Sequence, residues 1–162
     1  MQKWKATSHE GGINTPMIAH WPEGIKKPGR FYREPCHLID VLPTCMELTK
    51  ATHPGESTQE TIPKVEGISL LPTFQDQSLN RKDPLYFQFG SGFAIHDNNW
   101  KLVRSGNQPW ELYNLSVDRS ETQNLAAQQP ERVSTMENQW QAWYQRCTGS
   151  DYSFTSKKKK KK

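Results

Sequence analysis

Cysteine is scarce in this chain and odd in number: Cys36, Cys45 and Cys147 stand apart, with no C-x-x-C pair. That spacing argues against a zinc knuckle and against a disulfide framework, and leaves buried or free thiols. Apolar residues are also in short supply. They fill 33% of the 162 positions, mean hydropathy is −0.89, and glycine and proline take a further 10 and 11 positions. Little material is at hand for closing a large core, which suits one domain or one part of a larger one. No apolar run is long enough to cross a bilayer, and the first residues show no basic-then-apolar leader pattern. The sequence by itself assigns no compartment.

Basic charge is lacking too, despite a formal net charge of +4. Residues 157–162 are six consecutive lysines, and without them 15 basic residues face 17 acidic ones, so the body carries about −2. A terminal run of like charge repels itself and stays solvated, so residues 149–162 are expected to form a disordered, lysine-rich tail. Such a tail can adhere to polyanions, but no folded basic patch is indicated and no specific nucleic-acid partner is expected.

What is present is a set of short periodic segments. Thr15-Pro-Met-Ile-Ala-His-Trp-Pro22 is an apolar run between prolines and reads as a buried strand. From His37 to Ala51, Leu38, Val41, Leu42, Cys45, Met46 and Leu48 recur at helical spacing, with Asp40 as N-cap and Pro43 in the first turn. Leu85–Phe89, Phe93–His96, Trp100–Arg104 and Trp110–Tyr113 read as four strands joined by Gly-Ser-Gly and Asp-Asn-Asn turns, hence an antiparallel meander. Asp97-Asn98 is turn chemistry there rather than a pair of metal ligands. Pro130 opens a helix carrying Val133, Met136, Trp140, Tyr144 and Cys147 on one stripe. Trp100, Trp110, Trp140 and Trp143 are expected to fill the interface between this helix and the sheet. The expected fold is α+β: a small antiparallel four-stranded sheet packed by a C-terminal helix, attached to the end of a larger α/β domain. The expected divisions are 1–52, the end of that larger domain; 53–84, a connecting loop; 85–148, the antiparallel subdomain; and 149–162, the tail.

Chemistry concentrates near the start, in Lys5-Ala-Thr-Ser-His-Glu-Gly-Gly-Ile-Asn-Thr-Pro16. Lys5 and His9 stand four residues apart ahead of a Glu-Gly-Gly bend. On spacing alone Lys5 is equally an exposed charge, and His9 either faces a pocket or packs beside the bend. Glu10 is expected to bond backbone amides at the bend, and Gly11 and Gly12 to permit positive φ or a close backbone approach. His20, His37 and His96 lack metal-ligand spacing and read as structural or surface groups.

Two stretches resemble the C-terminal portion of the sulfatase (arylsulfatase) family, in the alkaline-phosphatase-like superfamily. The first is the Lys5–Pro16 segment, similar to the family's Lys, small residue, Thr, Thr or Ser, variable residue, Glu-Gly-Gly pattern. The second is Trp110-Glu-Leu-Tyr-Asn-Leu-Ser-Val-Asp-Arg-Ser-Glu-Thr-Gln-Asn-Leu-Ala126, similar to the family's E-L-Y-D-L-x-x-D-x-x-E-x-x-N-L-A close. His37-Leu-Ile-Asp-Val-Leu-Pro-Thr44, Glu66-Gly-Ile-Ser-Leu-Leu-Pro72 and Ala94-Ile-His-Asp-Asn-Asn-Trp-Lys-Leu-Val103 resemble family segments in the same order.

The resemblance implies hydrolysis of sulfate esters and a sulfate-binding role for Lys5 as the catalytic residue of this segment; His9 stands where the family varies and is a candidate substrate-binding residue. It also implies a formylglycine nucleophile and Ca2+. None of the three cysteines, and no serine, is followed by x-Pro-x-Arg, so the nucleophile precursor and the cation ligands are expected in a missing N-terminal region, and the chain is expected to be inactive alone. No metal ligand is assigned within it. Two other readings stay open: a fragment of a related phosphodiester or phosphonate hydrolase, and a non-catalytic binding module with a polycationic tail. Periplasmic or secreted placement is implied only by analogy with relatives.

Overall fold

The computed structural model describes residues 1–53 and 62–152. Residues 153–162 of the expected tail and 54–61 of the expected connecting loop fall outside the described residues. The chain divides into two compact units, one formed by Met1–Pro16 with Asp83–Lys162, the other by Met17–Lys82. The boundaries between these units lie at residues 16 and 82.

In the first unit, four strands form the sheet: β1 (Leu85–Phe89), β2 (Gly92–Asp97), β3 (Trp100–Ser105) and β4 (Glu111–Asn114). They pair antiparallel in the order β1-β2-β3-β4. Asn98 adopts φ of 52° in the β2–β3 turn, a left-handed conformation that asparagine tolerates. On one sheet face Phe93, Ile95, Leu102 and Leu112 join Trp110, Met136 and Trp140 in a buried cluster. Met136 and Trp140 come from the helix Pro130–Thr148, which starts on proline and stops at Gly149 with φ of 71°. Trp100 and Trp143 pack at the rim of that cluster, and Trp143 stacks on Tyr86 with centroids 5.2 Å apart. All four tryptophans thus serve the sheet–helix interface, as the apolar stripe predicts.

The opposite sheet face carries a smaller cluster of Ala94, Val103, Tyr113 and Leu115. Strand alternation places Lys101 on this face as well, with His96 and Tyr113 as its cross-strand partners. A fully buried lysine at the middle of a sheet needs anionic company, and residues 8–10 bring it.

In the second unit, His37 opens a turn of 3-10 helix, Leu38–Asp40, that runs into the helix Val41–Thr49. Asp40 caps it differently from the expected N-cap of the helix. Its Oδ2 accepts the backbone N–H of His37 at 2.7 Å, while its Oδ1 accepts that of Ile68 at 3.0 Å, and Arg81 pairs with it. Thr44 donates to the Asp40 carbonyl and accepts from the backbone N–H of Leu70. The expected strand at 15–22 does not form: no segment among the described residues pairs with it, and residues 15–21 are exposed non-strand chain. An apolar run without an edge to join has no ladder for its backbone groups, so the alternation signal there misleads. The three cysteines are free and exposed.

Candidate active-site segment

Residues 3–13 are shaped by backbone constraints. Lys3 and Ala6 both sit at positive φ, 57° and 67°, uncommon for side chains with a Cβ. Thr7 Oγ1 donates to the Trp4 carbonyl at 2.8 Å and closes the turn. Lys5 lies within it, exposed. The next residues reverse the pattern: Ser8, His9 and Glu10 are 1%, 0% and 7% exposed. Glu10–Ile13 is a single helical turn. A Cβ on Gly11 would lie 2.0 Å from the Lys3 carbonyl oxygen, and one on Gly12 would lie 2.1 Å from that of Thr7. Close backbone approach, not positive φ, is the reason for the glycine pair.

The segment is anchored by charge. Lys101 Nζ lies 2.7 Å from Glu10 Oε1 and 2.9 Å from Glu121 Oε1. Glu121 Oε1 meets the ammonium as an ion pair without hydrogen-bond geometry, while its Oε2 accepts the Glu10 backbone N–H at 2.8 Å. Asn14 Nδ2 donates to Glu10 Oε2 at 3.1 Å, and the Gln2 amide donates to the Glu121 carbonyl. Glu10 therefore takes two side-chain donors instead of the expected bend amides. Beside it, His9 Nε2 lies 3.2 Å from Glu111 Oε2, which also accepts the Tyr113 hydroxyl. Burial, reinforced by Glu111, pushes the Tyr113 phenol up. His9 Nδ1 is buried without a hydrogen-bond partner among the described residues.

Sequence reasoning missed Lys101, Glu111 and Glu121 as partners of this segment. A lysine at an inward-facing strand position was the available signal. Each lies within a stretch that resembles the sulfatase family, so the separated motifs meet in space: Glu10 from the first, Lys101 from the Ala94–Val103 stretch, Glu121 from the last. Other members of the closing motif fix its loop. Asp118 accepts the backbone N–H groups of Thr122 and Gln123, each at 2.8 Å through Oδ2, which holds its carboxyl below the usual range. Asn124 Oδ1 accepts those of Leu112 and Ala126. No three His, Cys, Asp or Glu side chains among the described residues are grouped to hold a metal ion; the acids that converge do so on Lys101. These residues do not fit a Ca2+ site.

A small antiparallel sheet with one long covering helix is the α+β fold of a C-terminal sulfatase region. Residues 4–145 match the family described as N-sulphoglucosamine sulphohydrolase, C-terminal, and the chain belongs to that family. A sulfatase from Formosa agariphila is 30% identical over 160 residues, covering 86% of this chain and 28% of the relative. Human arylsulfatase D is 34% identical over 104 residues, 64% of this chain and 16% of the relative. The crystal structure of Ps i-CgsB in complex with k-i-k-neocarrahexaose shares the fold, with a TM-score of 0.63 at 23% identity over 76% of this chain and 27% of that one. The chain thus spans less than a third of the length of each of these relatives.

Proposed function

We propose that this chain is the C-terminal portion of a sulfuric ester hydrolase, in which the Lys5 ammonium meets the oxygens of the sulfuryl group. The observation that supports this is the contrast within six residues. Lys5 stands exposed on a turn with left-handed backbone at Lys3 and Ala6, and Ser8–Glu10 are buried, with His9 tied to Glu111 and Glu10 to Lys101 and Glu121. Backbone held in sparsely populated conformations by a rigid base is characteristic of functional positions. As the ester bond breaks, negative charge spreads over the sulfuryl oxygens and the leaving oxygen, and a fixed cation stabilises it; one such contact is worth about 3 kcal/mol of barrier. His9, left open between pocket and packing by the sequence, supports the turn from below in this reading. The nucleophile and Ca2+ belong to polypeptide outside the described residues, and the chain alone does not turn over sulfate esters.

The test joins the residues that precede the matched segment in the Formosa agariphila sulfatase to this chain. The fusion is expected to hydrolyse an aryl sulfate in preference to an aryl phosphodiester. Lys5→Ala is expected to lower kcat/KM by about 100-fold, with partial recovery in Lys5→Arg. Unchanged turnover in Lys5→Ala would remove Lys5 from the reaction, and a preference for the phosphodiester would overturn the sulfatase reading.

A further inference from the structure

The turn that carries Lys5 presents a Lys-Trp-Lys run. Lys3, Trp4 and Lys5 are all exposed. Trp4 keeps 76% of its surface in water, although tryptophan is on average a highly buried residue and the other tryptophans of this unit pack in the sheet–helix interface. The run is fixed along its length. Lys3, which begins it, and Ala6, which follows it, take left-handed backbone. Thr7 Oγ1 holds the Trp4 carbonyl at 2.8 Å, the Gln2 carbonyl accepts the Gly11 backbone N–H at 3.1 Å, and Lys3 Nζ donates to the hydroxyl of Ser105, the last residue of β3, at 3.3 Å.

The charge of this run is not neutralised from beneath. Glu10 and Glu121 are spent on Lys101, and Glu111 on His9 and Tyr113. No carboxylate among the described residues pairs with Lys3 or Lys5. Ser105, the partner of Lys3 Nζ, is uncharged and leaves two of the three ammonium hydrogens unused. The two lysines stand two positions apart, so their Cα atoms are no more than about 7 Å from each other. Like charges set this closely repel, a cost that an anionic ligand turns into binding.

We propose that Lys3 and Trp4 form a subsite for the leaving group of the ester bound at Lys5, and that this leaving group is a ring bearing a second anionic group, a further sulfate or a carboxylate. The exposed indole takes the face of the ring. The Lys3 ammonium takes the second anion while Lys5 meets the sulfuryl group. An ester with a single anion and no ring would use neither Lys3 nor Trp4. The proposal rests on the sulfatase reading, since it is the ester held at Lys5 that brings its leaving group beside the neighbouring side chains.

Two measurements test it. In the 162-residue chain, lysine acetylation is followed residue by residue by mass spectrometry in the presence of an aryl disulfate, a glucose disulfate or inorganic sulfate at matched ionic strength. A disulfate is expected to slow acetylation of Lys3 more than inorganic sulfate does, with the exposed Lys50 as reference, and the better of the two tells an aromatic ring from a sugar. Trp4→Ala is expected to weaken that protection by about 2–10-fold. Protection of Lys3 no greater than that of Lys50 or of lysines 157–162 would mark unspecific charge attraction and overturn the subsite. In the fusion with the preceding Formosa agariphila residues, an aryl sulfate carrying a ring carboxylate is compared with the same ester lacking it. Lys3→Ala is expected to lower the ratio of their kcat/KM values by about 3–5-fold, through KM, and Lys3→Arg to restore it. A fusion that hydrolyses both esters with the same ratio in Lys3→Ala would overturn the subsite and leave the sulfatase reading standing. A fusion inactive on both esters, joined to selective protection of Lys3 by a disulfate, would do the reverse.

Discussion

In the unit formed by Met1–Pro16 and Asp83–Lys162, large apolar side chains lie inside: Phe93, Ile95, Leu102, Leu112 and Trp140 are 0–1% exposed. In the unit Met17–Lys82 only Leu70 and Leu79 among the described large apolar side chains are buried, at 3% and 7% exposure. Ile18, Phe31 and Leu38 are 83–93% exposed, while Asp40 and Thr44 are buried and make its internal bonds. Both units bury charge, but with different support. Lys101, Glu10 and Glu121 sit under a sheet that already has a hydrophobic cluster on each face, whereas buried Asp40, paired with half-buried Arg81, holds together a unit with little apolar core. Since apolar burial is the dominant favourable term in folding, the first unit has the means to stand by itself, and the second relies more on directional bonds.

Three substitutions sharpen or break this contrast. Trp140→Ala removes the ring on which Phe93, Trp110, Trp143 and Tyr144 converge, and is expected to cost about 3–5 kcal/mol in urea unfolding. A cost below about 1 kcal/mol would mean that the sheet–helix interface is not the core of its unit. Asp40→Ala strands the Arg81 guanidinium and the backbone N–H groups of His37 and Ile68, at about 3 kcal/mol for that unit. Amide exchange at Ile68 and Leu70 should accelerate, while that of β2 stays slow; equal acceleration in both would erase the distinction.

The smallest effect is on pH dependence. Burial holds the His96 imidazole below its ordinary value of 6.5, with Lys101 acting in the same direction and Glu10 and Asp97 against it. Between that depressed value and 6.5 the unfolded chain binds more protons than the folded one, so stability falls as pH drops through 6.5 and levels off below the folded-state value. His37, also lowered by burial, contributes with the same sign. His96→Gln should therefore flatten part of the slope between pH 5 and 7 in thermal midpoints, and an unaltered slope would deny His96 a share.

The strands and the C-terminal helix were legible because period-2 and period-3.6 patterns act locally, and the partners of each element follow it closely in the chain. Thr15–Pro22 carries the same kind of apolar signal yet forms no strand, since pairing depends on an edge that local pattern does not reveal. The anchoring of the Lys5 turn was legible only in parts. Glu10, Lys101 and Glu121 are separated by 91 and 111 positions from Glu10 onward, and nothing in local spacing says that two carboxylates and one ammonium share a buried point. The resemblance marked all three stretches; the structure adds that these residues bind one another.

The most direct test of the account compares Lys101→Met with Lys5→Ala in urea unfolding of the 162-residue chain, followed by tryptophan fluorescence. Removing Lys101 leaves Glu10 and Glu121 buried without a counter-charge, an expected loss of about 3–5 kcal/mol, whereas Lys5→Ala, at an exposed position, is expected to stay within about 0.5 kcal/mol. Equal losses from the two substitutions, or a neutral Lys101→Met, would contradict the picture of a buried charge network holding out an exposed functional lysine.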